Sequence, residues 1–168
     1  MPAETVYIGI GSNIGDSQDT IHRAIECVAV LPKTRLQKQS SLYRTEAISD
    51  IPQDDYINAV ASIETQLQPM DLLLELQAIE KAFYRQRDPN LKWAPRTLDL
   101  DIILFGERRM QDSHLKIPHH EMQNRLFVLQ PLFEISGDIP VPGLGNLQHL
   151  LNNAPDMEIA MMQSSDSK

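Results

Sequence analysis

Leu98 to Phe105 is the strongest strand signal in this chain, and it constrains the fold more than any other segment. Leu98, Leu100 and Ile102 alternate with Asp99 and Asp101, so one face of the strand is apolar and the other carries two carboxylates. Such a strand needs a sheet with helices against its apolar face and an opposite face that is capped or used. The other segments agree. Val6 to Ile10 is a short apolar run closed by Gly11, Ser12 and Asn13, and reads as a strand entering a turn. Asp16 or Ser17 can cap a helix in which Ile21, Ala24, Ile25 and Val28 share one side, ended by Pro32. Arg35 to Tyr43 is strand-like but weakly patterned, and Ala47 to Asp55 reads as a loop. Ile57, Ala59, Ala61 and Ile63 alternate, which puts Tyr56 and Asn58 together on the opposite face of a further strand. Pro69 suits the first turn of a second helix lined by Leu72, Leu76, Ile79 and Phe83.

The order strand, helix, strand, strand, helix, strand predicts an α+β domain of the ferredoxin-like βαββαβ kind, with a four-stranded antiparallel sheet. Shorter elements follow: an extended His114–Ile117, a mostly helical Glu121–Phe133 and a short helix over Leu147–Asn152. A single domain is expected over residues 1–155, with a frayed tail over 156–168.

The formal charge of -8 gives no global attraction to nucleic acid or anionic membrane. No apolar run approaches the roughly 20 residues of a membrane helix, and the N-terminus lacks the features of a signal peptide. A lone Cys27 suits a reducing compartment, so a cytoplasmic protein is expected, as a monomer rather than an oligomer, with no nucleic-acid or membrane partner.

In an acidic chain, local clusters of cations are informative. Arg85, Arg87, Lys92 and Arg96 precede the acidic strand, and Lys116, His119 and Arg125 follow it. On one strand face, the Cβ atoms of Asp99 and Asp101 stand about 7 Å apart. That spacing suits metal ions about 3.5–4 Å apart, as in two-metal phosphoryl chemistry. Carboxylates with no nearby thiol favour Mg²⁺, and guanidinium groups match phosphate oxygens. Metal, fixed cations and a placed acceptor are what phosphoryl transfer requires. Gly9-Ile10-Gly11-Ser12-Asn13-Ile14-Gly15 has the wrong spacing for a dinucleotide fingerprint, and a tight turn accounts for its glycines. The five histidines show no zinc-ligand spacing. His119 and His120 are adjacent, which on most backbones points them apart.

With these residues in place, the chain resembles the 6-hydroxymethyl-7,8-dihydropterin pyrophosphokinase family from about Val6 to Leu151. The resemblance is carried by Trp93-Ala94-Pro95-Arg96-Thr97-Leu98-Asp99-Leu100-Asp101-Ile102-Ile103. Gly11-Ser12-Asn13, Tyr43-Arg44-Thr45, Tyr56-Ile57-Asn58-Ala59 and Pro118-His119 with Asn124-Arg125-Leu126-Phe127 support it. It implies transfer of pyrophosphate from ATP to the pterin hydroxyl in folate biosynthesis, giving AMP, with two Mg²⁺ held by Asp99 and Asp101. It further implies that Arg85 and Arg96 act on the transferring group beside those carboxylates. ATP would meet Gln77, Glu80, Arg85, Arg87, Trp93, Arg96, Ile102, His114, Lys116, His119, His120 and Arg125. The pterin would meet Thr45, Glu46, Ile48, Tyr56, Asn58, Trp93, Asp99 and Phe127.

This chain departs from the family pattern at Ala47 and Ser49, where Pro and Gly are usual. It also carries Tyr84 where Gly commonly precedes the arginine pair, His114 where Arg is frequent and His120 where Tyr is common. The departures at Ala47, Ser49 and Tyr84 motivate one alternative, a catalytically weakened paralogue that binds nucleotide or pterin. An RNA-binding module of similar fold is disfavoured by the acidic charge and the 5% aromatic content.

Overall fold

The structure, a computed structural model, describes residues 2–13, 16–45, 55–84 and 98–162. Its principal sheet is built from β1 (Glu4–Ser12), β2 (Thr34–Gln39), β3 (Tyr43–Thr45), β4 (Tyr56–Thr65), β5 (Leu98–Phe105) and β10 (Ile159–Met161). The strand order is β10-β3-β4-β1-β5, with β2 also pairing β4, and every pairing is antiparallel. β2 and β3 take successive stretches of β4, so together they act as one interrupted strand. With that pair counted once, the sheet has the expected ferredoxin-like connectivity.

Helix α1 (Ser17–Ala29) opens at Asp16, whose carboxylate accepts from the Asp19 amide at 3.2 Å. Helix α2 (Pro69–Tyr84) begins at its proline, a residue that lacks the amide hydrogen a first turn leaves unpaired anyway. Ile21, Ala24, Ile25 and Val28 of α1 join Leu72, Leu76, Ile79 and Phe83 of α2 against Ile57, Ala59, Ala61 and Ile63 of β4. Leu98, Leu100 and Ile102 complete this core from β5, as their alternation predicts.

The opposite face has a second core. Helix α3 (Leu126–Ser136) and the short α4 (Leu147–Asn153) bury Leu129, Leu132, Leu147 and Leu150 with Val60, Ile103 and Leu104. Leu104 reaches this side because the β1–β5 register shifts between Tyr7 and Ile8, which reverses the facing of β5 beyond Ile102. Two small hairpin pairs, β6 (Met110–Gln111) with β7 (Lys116–Ile117) and β8 (Pro140–Val141) with β9 (Gly145–Asn146), flank α3 in sequence.

Three expectations need correction. β1 continues to Ser12, so Gly9 and Gly11 lie inside a strand and not in a turn. The segment from Arg35 to Tyr43 is broken at Ser40–Leu42, where Glu134 of α3 accepts from the Ser41 amide at 3.0 Å, the Ser41 hydroxyl at 2.8 Å and the Tyr43 phenol at 2.6 Å. Those bonds give a buried interruption its partners and tie α3 to the sheet. The tail is not frayed throughout: β10 pairs β3, and the Met162 amide donates to the Leu42 carbonyl at 2.8 Å.

Candidate active site

The part of the α3-side sheet face that α3 leaves uncovered is the floor of a cavity of about 330 Å³. Its floor follows from register. Gly11 of β1 pairs with Asn58 of β4 on one side and with Asp99 of β5 on the other. One step along, Gly9 pairs with Val60 and with Asp101. The central strand therefore contributes no side chain between an amide and a carboxylate whose Cα atoms are about 10 Å apart, two strand spacings. A Cβ on Gly11 would stand 3.0 Å from Asn58 Oδ1, and one on Gly9 would stand 3.0 Å from Ile103 Cδ1. Glycine at these positions serves clearance, not backbone conformation.

Thr45, Tyr56 and Asn58 line one side of the cavity, and Asp99 and Asp101 the other. Arg125, Phe127 and Val128 close it from the start of α3, and Met157 from the C-terminal segment. Asn58 is 5% exposed and donates through Nδ2 to the Thr45 hydroxyl at 3.3 Å. That bond fixes which way its amide faces. Arg125 places its guanidinium carbon 5.8 Å from the centre of the Phe127 ring, a cation–π contact that orients both groups.

Burial pushes the Asp101 carboxyl up from its ordinary value, and the charges of Arg125 and His120 only partly offset this. Glu80 of α2 is raised too, first by burial and then by the negative charges of Asp99 and Asp101, against a hydrogen bond that lowers it. That bond comes from the Leu100 amide, between the two aspartates, at 2.8 Å. Tyr84 adds a second tie, its hydroxyl donating to the Leu98 carbonyl at 3.1 Å. The strand bearing the carboxylates is thus held on its outer edge by α2.

His119 is anchored by its backbone amide, which donates to the Ile103 carbonyl at 2.9 Å. Its Nδ1 accepts from the Glu121 amide at 3.1 Å, which leaves the proton of a neutral ring on Nε2. Burial, then the charges of Arg125 and His120, lower its pKa to about 4. The His119 and His120 rings stack, with centres 4.9 Å apart and an interplanar angle of 22°. The expectation that these neighbours point apart is therefore corrected.

Seven of the residues expected in the site, from Thr45 to Phe127, meet at this one cavity. Others do not. Ile102 is buried beneath α1 and α2 on the face away from the carboxylates, so its side chain is unavailable to a ligand in this cavity. Gln77 is exposed on α2, His114 and Lys116 are exposed around the β6–β7 hairpin, and none of the three lines the cavity. Glu46, Ile48, Arg85, Arg87, Trp93 and Arg96 lie outside the described residues, as do Ala47, Ser49 and Lys92. Among the described residues, no three His, Cys, Asp or Glu side chains converge as a metal cluster. Two hard carboxylates on the wall of a cavity that opens to solvent nevertheless fit Mg²⁺, which keeps several waters and takes its other oxygens from substrate phosphates. Gly9, Gly11 and Met157 were not among the expected site residues. The first two share the parity of Asp99 and Asp101 once strands are paired, whereas Met157 has no signal in the sequence.

An antiparallel α+β sandwich whose open sheet face gathers an amide, two carboxylates and an arginine defines a ligand-binding enzyme domain of the ferredoxin-like class. The comparisons specify it. The family model 7,8-dihydro-6-hydroxymethylpterin-pyrophosphokinase (HPPK) matches residues 7–137, and the chain belongs to this family. A Pseudomonas aeruginosa protein named 2-amino-4-hydroxy-6-hydroxymethyldihydropteridine pyrophosphokinase is 43% identical over 152 residues, 90% of this chain and 93% of the relative. Its namesake from Haemophilus influenzae is 42% identical over 152 residues, 90% of this chain and 94% of that one. The fold is also that of Plasmodium falciparum HPPK-DHPS, solved as wild type with pterin and p-hydroxybenzoate, with a TM-score of 0.68 at 12% identity. That likeness covers 89% of this chain and 43% of the Plasmodium chain, so this protein spans less than half its length.

Proposed function

We propose that the cavity is where pyrophosphate passes from ATP to the hydroxyl of 6-hydroxymethyl-7,8-dihydropterin, a step of folate biosynthesis. The chain is a pyrophosphokinase and a transferase by family. The observation that carries the assignment to this site is the row Asn58–Gly11–Asp99 across three strands, open to a single cavity.

In this reading the pterin lies over Gly11. Asn58 offers both donor and acceptor to the amide edge of the ring, its orientation set by Thr45. Phe127 takes one face of the flat heterocycle by offset stacking, and Trp93 is assigned the other from the family resemblance. Tyr56 closes the side. With the ring so placed, the hydroxymethyl group points along the floor toward Asp99 and Asp101. Its oxygen attacks the β-phosphorus of ATP and gives up its proton to water, the bond from that phosphorus to the α-phosphate oxygen breaks, and AMP leaves with that oxygen. The residues present fit two Mg²⁺, which Asp99 and Asp101 would hold and which would supply positive charge to neutralise the polyphosphate. Arg125 supplies a fixed positive charge next to Asp101. Neutral His119 offers an Nε2–H donor that suits a phosphate or ribose oxygen. Arg85, Arg87 and Arg96 are assigned to the phosphates from the resemblance, with Arg85 and Arg96 nearest the transferring group. Gln77, Glu80, His114, Lys116 and His120 are assigned to the nucleotide on the same ground. Any contribution of Ile102 is confined to its backbone. Glu46 and Ile48 complete the pterin contacts in this assignment.

The chain is assigned to the cytoplasm, in keeping with its unpaired Cys27 and with the absence, among the described residues, of a helix long and apolar enough to cross a membrane. Chromatographic product analysis tests the function. ATP, Mg²⁺ and the hydroxymethyl-pterin should give AMP and the pterin diphosphate in equal amounts. ADP as the nucleotide product would refute the proposal, and pterin binding without AMP would select the weakened paralogue.

A further inference from the structure

The C-terminal segment supplies a wall of the cavity that the family match does not include. That match ends at residue 137, whereas Met157 lines the same cavity as Asn58 and Phe127. Its position is fixed from both directions. Ahead of it, α4 ends at Asn153, with Leu147 and Leu150 buried in the α3-side core. Behind it, β10 pairs β3 with Ile159 opposite Thr45, Ala160 opposite Arg44 and Met161 opposite Tyr43. The Met162 amide then bonds the Leu42 carbonyl, and its side chain packs on the principal core. A residue two places before an anchored strand and four places after an anchored helix has little freedom to leave the cavity.

The pairing has a second effect. β3 is three residues long and carries Thr45, whose hydroxyl orients Asn58. Without β10 it would be an outer edge held by β4 alone, and a two-sided strand is the stiffer support.

We infer that Met157 is a specificity-determining residue for the acceptor: a thioether wall, set in place by the β10–β3 pairing, that packs against the flat heteroaromatic bound over Gly11. This rests on the reading of the cavity as the pterin site. The side chain suits the task because an unbranched, polarisable thioether follows the outline of a ring and makes favourable sulfur–aromatic contacts. It carries no charge, so it should act on acceptor affinity without acting on the nucleotide.

The test is calorimetric titration of the full chain with 6-hydroxymethyl-7,8-dihydropterin in the presence of Mg²⁺ and α,β-methylene-ATP, with separate titration by the nucleotide analogue. Met157→Ala should weaken pterin binding about fivefold, and Met157→Leu should restore most of it, with nucleotide affinity unchanged in both. Met161→Ala, on the same segment but 55% exposed, should bind the pterin like the parent chain. Equal pterin affinity in Met157→Ala and the parent overturns the inference while leaving the site assignment intact. A loss of the same size in Met161→Ala also overturns it, by tracing the effect to strand pairing and not to the thioether. Absence of pterin binding by the parent chain overturns both this inference and the reading beneath it.

Discussion

Asn58 and Asp99 stand in one row across the sheet, on opposite sides of Gly11. The proposed acceptor-reading group and the proposed phosphate-side group are thereby fixed relative to each other by backbone hydrogen bonds, with nothing between them but open floor. Gly11→Ala tests this relationship. The added Cβ meets Asn58 Oδ1 at 3.0 Å and must displace an amide already committed to Thr45. We expect pterin affinity to fall about tenfold, equivalent to about 1.4 kcal/mol, with nucleotide affinity changed less than twofold, since the amide must give by a few tenths of an ångström where it faces the cavity.

Asn58→Ala should be more damaging to pterin binding than to folding. It removes a buried amide that faces the cavity, and Thr45 loses a partner. Two lost hydrogen bonds at about 1–1.5 kcal/mol each predict roughly a hundredfold rise in the pterin dissociation constant. Direct titration checks this, and Asn58→Asp should not rescue it because a carboxylate offers no donor.

The site carries a cost in stability that pH exposes. Asp101 has a raised pKa in the folded chain, so its proton is held to higher pH there than in the unfolded chain. That stabilising contribution is present below the ordinary carboxylate range and is lost as pH rises through the folded value. Asp101→Asn should therefore melt above the parent at pH 7 in chelator, by roughly 3 °C for a gain of about 1 kcal/mol, and the difference should vanish near pH 3. Thermal scans across pH measure it. A variant that is more stable and inactive is the expected signature of a functional carboxylate.

His119 has the opposite sign. Its folded pKa of about 4 lies below the ordinary histidine value, so the folded chain binds fewer protons. The contribution is present above about pH 6.5 and is lost as pH falls toward 4. His119→Asn keeps an acceptor for the Glu121 amide while removing the titration. It should flatten the melting temperature between pH 6.5 and 4 relative to the parent.

Much of this architecture can be read from periodicity. The alternations at Ile57–Ile63 and Leu98–Ile102, and the helical stripes of α1 and α2, place their residues in the core they predict. Asp99, Asp101, Asn58 and Tyr56 reach the right face by the same parity, and the family resemblance singles them out as ligand contacts. What escapes the sequence depends on pairing between distant segments. Gly9 and Gly11 look like turn residues until β4 and β5 are set beside them. Ile102 differs from these: its own alternation already places it on the apolar face, against the nucleotide contact that the resemblance implies. The stacking of His119 on His120 depends on local backbone that adjacency alone does not give. β10 is only three residues long, and its partner β3 is equally short. Neither has enough alternation to announce itself, so Met157 reaches the cavity unforeseen.

In the proposed transfer, the two aspartates of β5 act together on one face. Single-turnover formation of AMP from ATP and the hydroxymethyl-pterin, measured for the parent chain, Asp99→Asn and Asp101→Asn, tests it most directly. Both variants keep the side-chain shape, and each should slow AMP formation by at least about a hundredfold while retaining the fold. AMP formed at the parental rate by either variant would show that the two carboxylates do not act as a pair.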